Sequence, residues 1–403
     1  MKFSNKAKAF AIAAVIAIST ATPAQAVDLT GSGASFVDPL LQSCKAGFNK
    51  SSNHSYVYTS TGSGTGKKNA DAKIGDFWFS DSAHTATTKR STVFHAPIIA
   101  APIAVLVNLP AKKDIYLTST TVAKIFAGEI TKWNDPAIVA DNNRSVTTTV
   151  YRKDASGNVA KDKKGNPIVL RTQTKRTYYT LPNMPIKVVF RADGSGTSNN
   201  FTKWLNGVAP TVWTKPANDA FTTAFPGNIN DPQNIGRIVG ANQSQGIATL
   251  AAKTPYSITY AEKNWGDAYG LRSAYVSNAA GNFTFPDSAA TSAFLGEASQ
   301  DANGIVSYNY ATKVAGAYTL GIVSYMLVET EYADKSRGAA VKQLAEYILS
   351  SDCSGLDAKA GYIVISGTFL AKAKELLAKM NKSLKKTNKR TQGREGSPGF
   401  FFV

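Results

Sequence analysis

The chain of 403 residues holds only two cysteines, three histidines and four methionines. His54, His84 and His95 show no ligand spacing and no C-x-x-C occurs, which excludes the usual zinc sites and leaves no metal or other cofactor expected. Long apolar runs are also missing. The run Ala9 to Ile18 is too short to span a bilayer. With Lys2, Lys6 and Lys8 before it and Ala24-Gln25-Ala26 after it, it reads as an export signal over residues 1–26. The mature chain is then expected to be soluble, in the periplasm or cell envelope. No cysteine follows the cleavage site, which argues against a lipid anchor there. In an exported chain Cys44 and Cys353 favour one disulfide, with two buried free thiols as the alternative. No internal repeat stands out, so solenoids and propellers are excluded.

Acidic residues are the scarcer charge: 27 Asp and Glu against 45 Lys and Arg, a formal +18. Three lysines leave with the signal. Residues 151–180 carry eight basic and two acidic side chains, and residues 372–403 carry nine and two. The rest of the mature chain is only +2. The basicity therefore sits in two appendages. No core patch interleaves aromatic with basic residues, so nucleic acid is not an expected partner. The tail, 385–403, is predicted to be disordered. A solvated extension is the ordinary fate of such a run; acidic cell-envelope polymers or anionic lipid heads are the partners that would suit it.

The chain does hold 31 glycines, several of them gathered in Gly/Ser turns. Leu29 to Phe36 reads as a short strand running into "GSGASF" (31–36). Asp38 then caps a helix with Pro39 at its first position and Leu40, Leu41, Cys44 and Phe48 on its buried face. Tyr56 to Thr59 is strand-like before "TGSGTG" (61–66), and "FSDS" (79–82) also follows an apolar stretch. Ile98 to Leu109 is strand-like despite Pro102. Thr120 or Thr121 starts a helix that Gly128 ends. Ile186 to Phe190 is a strand, "RADGSGTS" (191–198) a turn, and Phe201, Trp204, Leu205 and Val208 the core face of a helix. Tyr318 to Val328 reads as a strand, Val341 to Ile348 as a helix, and Phe369 to Leu384 as a last amphipathic helix. This alternation is that of α/β units. Residues 151–180 break it and are expected to form an inserted β-hairpin or mobile loop.

A strand–turn–helix of this kind aims backbone N–H groups at one point, at the positive end of a helix dipole. Around 191–198 the hydroxyls of Ser195, Thr197 and Ser198 add donors, and Arg191 adds a guanidinium fork. In an open α/β sheet such turns gather at the carboxyl ends of strands, where ligands bind. Any one turn has a plainer reading as a surface turn with capping Ser or Thr, Arg191 as a surface ion pair and Asp81 as a helix cap. Three turns with an arginine and an aspartate suit a caged tetrahedral oxyanion held mainly by neutral donors.

The stretches "LTGSGASFVDPLLQ", "YTSTGSGTGKK", "FSDS", "KIFAGEITKWNDPAI" and "VVFRADGSGTSNNFTKWL" resemble the periplasmic phosphate-binding proteins of ABC importers. The resemblance implies an α/β fold of type II periplasmic-binding-protein architecture, with two lobes and a ligand cleft between them. It implies phosphate ligands at Ser35, Phe36, Ser63, Asp81, Arg191, Ser195, Gly196 and Thr197, with Asp193 steadying Arg191. The chain departs from the family pattern at Ser35, where threonine is usual, and at Phe77-Trp78-Phe79, which is bulkier than usual.

The expected function is capture of inorganic phosphate for an ABC permease by a monomeric receptor with no catalytic residue. A secreted phosphatase and an envelope-attached scaffold are the alternatives. The phosphatase lacks an evident nucleophile–histidine pair or metal cluster. The expected organisation is lobe I from 27–100 and 318–384, and lobe II from 101–317 with the insertion 151–180.

Overall fold

A computed structural model describes residues 26–111, 113–155, 157–176, 178–353 and 361–380. The expected signal, apart from Ala26, and the expected tail lie outside the described residues, as does the end of the last expected helix. Strands β1 (Asp28–Gly33), β2 (Ser55–Ser60) and β3 (Phe77–Ser80) form a parallel set, with β1 between the other two. Strands β4 (Val93–Asn108), β5 (Tyr116–Leu117), β6 (Ser145–Tyr151), β7 (Val169–Arg176), β8 (Lys187–Arg191), β9 (Ile238–Ala241) and β10 (Ser257–Glu262) follow. A second parallel set is β10, β8 and β9, and the strand Gly321–Glu329 returns late in the chain. The main path runs β2, β1, β3, Gly321–Glu329, β4, β10, β8, β9.

The long strand β4 joins the two parallel sets. Its first part, Val93 to Pro102, pairs antiparallel with Gly321–Glu329, and Ile103 to Asn108 pairs antiparallel with β10. Proline donates no ladder hydrogen bond, so it is tolerated in strands at bulges and edges. Pro97 lies beside the register shift, and Pro102 stands where β4 changes partners. The result is a mixed α/β molecule of two lobes about a cleft, with strands crossing between them.

Helices α1 (Asp38–Ser52), α2 (Ser63–Ala72), α3 (Ser119–Phe126), α4 (Pro136–Asn142) and α5 (Gly196–Val208) follow from their sequence patterns. Leu40, Leu41, Cys44 and Phe48 are buried along α1, as are Phe201, Trp204 and Leu205 along α5. Two details differ from expectation. Asp38 is the first helical residue and not the cap: Val37 precedes it without a side-chain bond, and Asp38 Oδ1 accepts from Gln42 Nε2 at 2.9 Å. Helix α3 starts earlier than expected, because the Thr118 hydroxyl accepts from the Thr121 N–H. The bulky Phe77 is accommodated by Gly31, its register partner in β1: a Cβ there would lie 2.2 Å from the Phe77 ring. Cys44 and Cys353 are joined in a disulfide.

Candidate anion-binding site

Strands β1, β2, β3 and β8 all end in the cleft, and α1, α2 and α5 begin there. First-turn N–H groups of a helix have no intrahelical acceptor, so each such start is a cluster of donors. The turns approach each other too closely for side chains. The Gly64 N–H donates to the Gly194 carbonyl at 2.8 Å, linking the first turn of α2 to the turn before α5. A Cβ on Gly196 would lie 2.5 Å from Ser63 Oγ and 2.7 Å from Ser82 N, which explains glycine at that position.

Arg191, at the end of β8, is 1 % exposed. Its Nε and Nη2 donate to the two oxygens of Asp193 at 2.7 and 2.5 Å. Burial opposes the guanidinium charge, but Asp193 more than offsets it and holds the group above its ordinary range. Burial likewise pushes the Asp193 carboxyl up, and Arg191 reverses this to leave it below the usual range. The remaining arm, Nη1, donates to Ser244 Oγ at 3.0 Å. Ser244 reaches across to β1: its Oγ lies 3.1 Å from Ser35 Oγ, which also accepts the Ser244 N–H at 3.2 Å.

Asp81, just past β3, is 3 % exposed. Its carboxylate accepts from Ser324 Oγ at 2.7 Å and from Ser63 Oγ at 3.4 Å. Asn200, on α5, donates to the Asp81 carbonyl at 2.5 Å. Burial, then the charge of Glu262, pushes the Asp81 carboxyl up to about 7, against the opposing pull of Ser324, Arg191 and Ser63. The site thus gathers buried charges: the Asp81 and Glu262 carboxylates, and an arginine fixed by the Asp193 carboxylate.

Three of the expected hydroxyls have protein partners. Ser195 Oγ accepts the Ser198 N–H at 3.1 Å as the cap of α5, so its own proton remains for another acceptor. Thr197 Oγ1 donates to Glu262 Oε1 at 2.7 Å, and Ser198 Oγ lies 2.6 Å from Tyr260 Oη. Phe36 is buried in the turn before α1, and Tyr362 Oη donates to its carbonyl. Ser244, Glu262, Ser324 and Asn200 escaped the sequence reading. Ser244 did carry a signal, since Asn242-Gln243-Ser244 follows β9 and opens the helix Gln243–Lys253. Among the described residues there is no group of His, Cys, Asp and Glu arranged to hold a metal.

A family model described as a PBP superfamily domain matches residues 19–352. The chain is 30% identical over 325 residues to "Phosphate-binding protein PstS3" of Mycobacterium bovis (strain BCG / Pasteur 1173P2), covering 77% of this chain and 75% of that one. It is 29% identical over 276 residues to "Phosphate-binding protein PstS" of Pasteurella multocida (strain Pm70), covering 68% and 67%. The fold superposes on a crystal structure of a phosphate-binding protein from Stenotrophomonas maltophilia with a TM-score of 0.62 at 20% identity, covering 88% and 94%.

Proposed function

The chain belongs to the PBP superfamily and, within it, to the phosphate-binding PstS proteins, and from that membership we propose that it captures inorganic phosphate outside the cytoplasm and delivers it to an ABC-type importer. The observation that carries this reading is that Arg191 and Asp81 are both buried and near enough for the arginine's charge to act on the carboxylate. A tetrahedral anion that still bears a proton needs both a cation and an acceptor. The proposed ligands are Ser35, Phe36, Ser63, Asp81, Arg191, Ser195, Gly196 and Thr197. Ser35 supplies a hydroxyl, Ser63 a hydroxyl that turns to the ligand from a long 3.4 Å bond to Asp81, and Gly196 and Thr197 supply the first-turn N–H groups of α5. Asp193 aims Arg191 and does not touch the ligand. Thr197 contributes through its backbone, since its hydroxyl proton goes to Glu262.

The role is that of a monomeric exported receptor and not of an enzyme. Among the described residues no helix is long and apolar enough to cross a membrane. Lobe I comprises 27–100 and 318–384, and lobe II comprises 101–317; the change of partners along β4 at Pro102 supports a boundary near 100. The basic tail is read as an accessory contact to acidic envelope polymers. Calorimetry against phosphate, sulfate and a phosphate ester tests the reading: phosphate binds, and the ester fails to fit the closed cleft. Arg191→Ala should lose about 2–4 kcal/mol of phosphate affinity, because the remaining donors are neutral dipoles. A loss below about threefold, 0.65 kcal/mol, overturns the assignment of Arg191.

A further inference from the structure

Residues 153–160, KDASGNVA, and 161–168, KDKKGNPI, share the pattern Lys-Asp-x-x-Gly-Asn, a repeat that the sequence reading passed over. The structure makes both copies into the same turn. Gly157 and Gly165 have φ of +82° and +83°, which favours glycine. Their N–H groups donate to the carbonyls of Asp154 and Asp162, each at 3.0 Å. The N–H groups of Asn158 and Asn166 donate to Asp154 Oδ1 and Asp162 Oδ1, each at 2.9 Å. Arg152, Ala160 and Ile168 close a ring: Arg152 N–H donates to Ile168 at 2.8 Å, Ile168 to Ala160 at 2.9 Å, and Ala160 to Arg152 at 2.8 Å. The two turns therefore form one small tip on the β6–β7 stem.

This geometry decides what the charge can do. Both acidic side chains of the insertion are engaged by the N–H groups of their own turns. The ion pairs among the described residues involve none of its eight basic side chains. Arg171 and Lys175 lie on one face of β7, since alternate strand residues share a face. At the junction of stem and tip, apolar side chains stand in water: Tyr151 is 42 % exposed, Val159 42 %, Val169 53 % and Leu170 62 %. Tyr151 pairs with Val169, and Leu170 is the extra residue at the bulge.

We propose that the β6–β7 hairpin and its paired turns are a docking arm for an anionic phospholipid surface. Unneutralised cations draw it to anionic headgroups, and exposed Tyr, Val and Leu side chains between them suit the headgroup–acyl boundary. A hydrophilic polyanion would match the lysines and arginines but offer nothing to Leu170 or Val169. Such an arm would concentrate the receptor at the membrane without using any residue of the phosphate site.

The test is sedimentation of the mature chain, tail included, with phosphatidylcholine vesicles, with and without phosphatidylglycerol. The tail is the same in every arm, so only the hairpin varies. Replacing Lys161, Lys163 and Lys164 by Gln should lower partitioning onto the anionic vesicles by about two orders of magnitude, at about 1 kcal/mol per charge and 1.4 kcal/mol per tenfold. Val169→Ser with Leu170→Ser should also weaken it. Equal partitioning of the parent and the lysine variant overturns the proposal. So does a serine variant that binds like the parent, which would leave a polyanion as the partner. Phosphate calorimetry on each variant should match the parent, which separates failure of the arm from failure of the phosphate reading.

Discussion

Asp81 is a buried carboxylate in the proposed phosphate site, and on that proposal its protonation decides what the site accepts. Ionised, it only accepts hydrogen bonds; phosphate has a proton to give it, and sulfate has none. A site built to read one hydrogen-bonding group rejects an analogue lacking it by roughly 10⁴-fold. Burial and the charge of Glu262 raise its carboxyl from the ordinary 3.8 to about 7, so the empty folded protein holds a proton that the unfolded chain has already lost. The stability from this group is complete below about pH 4, declines as pH rises through 7, and is then lost. Without ligand, Asp81→Asn should therefore gain thermal stability relative to the parent between about pH 5 and pH 8. Sulfate should compete with phosphate poorly above pH 7 and better well below it, where protonated Asp81 can donate. Competition calorimetry across that range checks this, and Asp81→Asn should flatten the profile. A sulfate affinity of the parent within about tenfold of phosphate above pH 7 contradicts the role of Asp81.

Elements α2 and α5 meet across the cleft through more than their glycines. Lys67, on α2, reaches Asp219 with Nζ 2.7 Å from Oδ2, and Asp219 Oδ1 also accepts from Ser82 and Asn199 at 2.9 and 3.0 Å. The two side chains are 15% and 17% exposed, so the pair is sheltered from solvent screening and is placed to act as a clasp when ligand is bound. Lys67→Met should raise the rate of phosphate release severalfold and leave the on-rate nearly unchanged, since closed-state contacts act mainly on dissociation. Stopped-flow release from the loaded protein measures it; an unchanged release rate removes the clasp. Much of this geometry was legible in the sequence because the signals are local. Glycine–serine turns, helical spacing at 201–208 and the run before Asp81 each sit within a few residues. What was missed arrives through non-local pairing. Ser324 comes from the strand beside β3, and Glu262 from the end of β10 beside β8. Nothing in either local stretch marks them as neighbours of Asp81. The paired turns at 153–168 were missed for another reason: only Lys, Asp, Gly and Asn recur, and the intervening residues differ.

At the scale of the whole molecule, early and late passages among the described residues pack together on one side of the fold. Strand β1 and helix α1 open that side, and Gly321–Glu329 with the helix Lys335–Ile348 returns to it. The disulfide between Cys44 and Cys353 ties these two passages, 309 positions apart. Both sulfurs belong to fully buried residues of one hydrophobic core. Closing so long a loop restricts the unfolded chain, which in the chain-entropy account contributes roughly 6 kcal/mol. On the proposed lobe boundaries the crosslink lies within lobe I, so opening and closing of the cleft should not strain it. The double substitution Cys44→Ser with Cys353→Ser should therefore lower the denaturant midpoint markedly. Phosphate affinity under native conditions should stay within about threefold of the parent, 0.65 kcal/mol. If affinity falls in step with stability, the staple also shapes the turn before α1, where Ser35 and Phe36 stand. If the midpoint does not move, the returning passage is held by its packing against α1 alone.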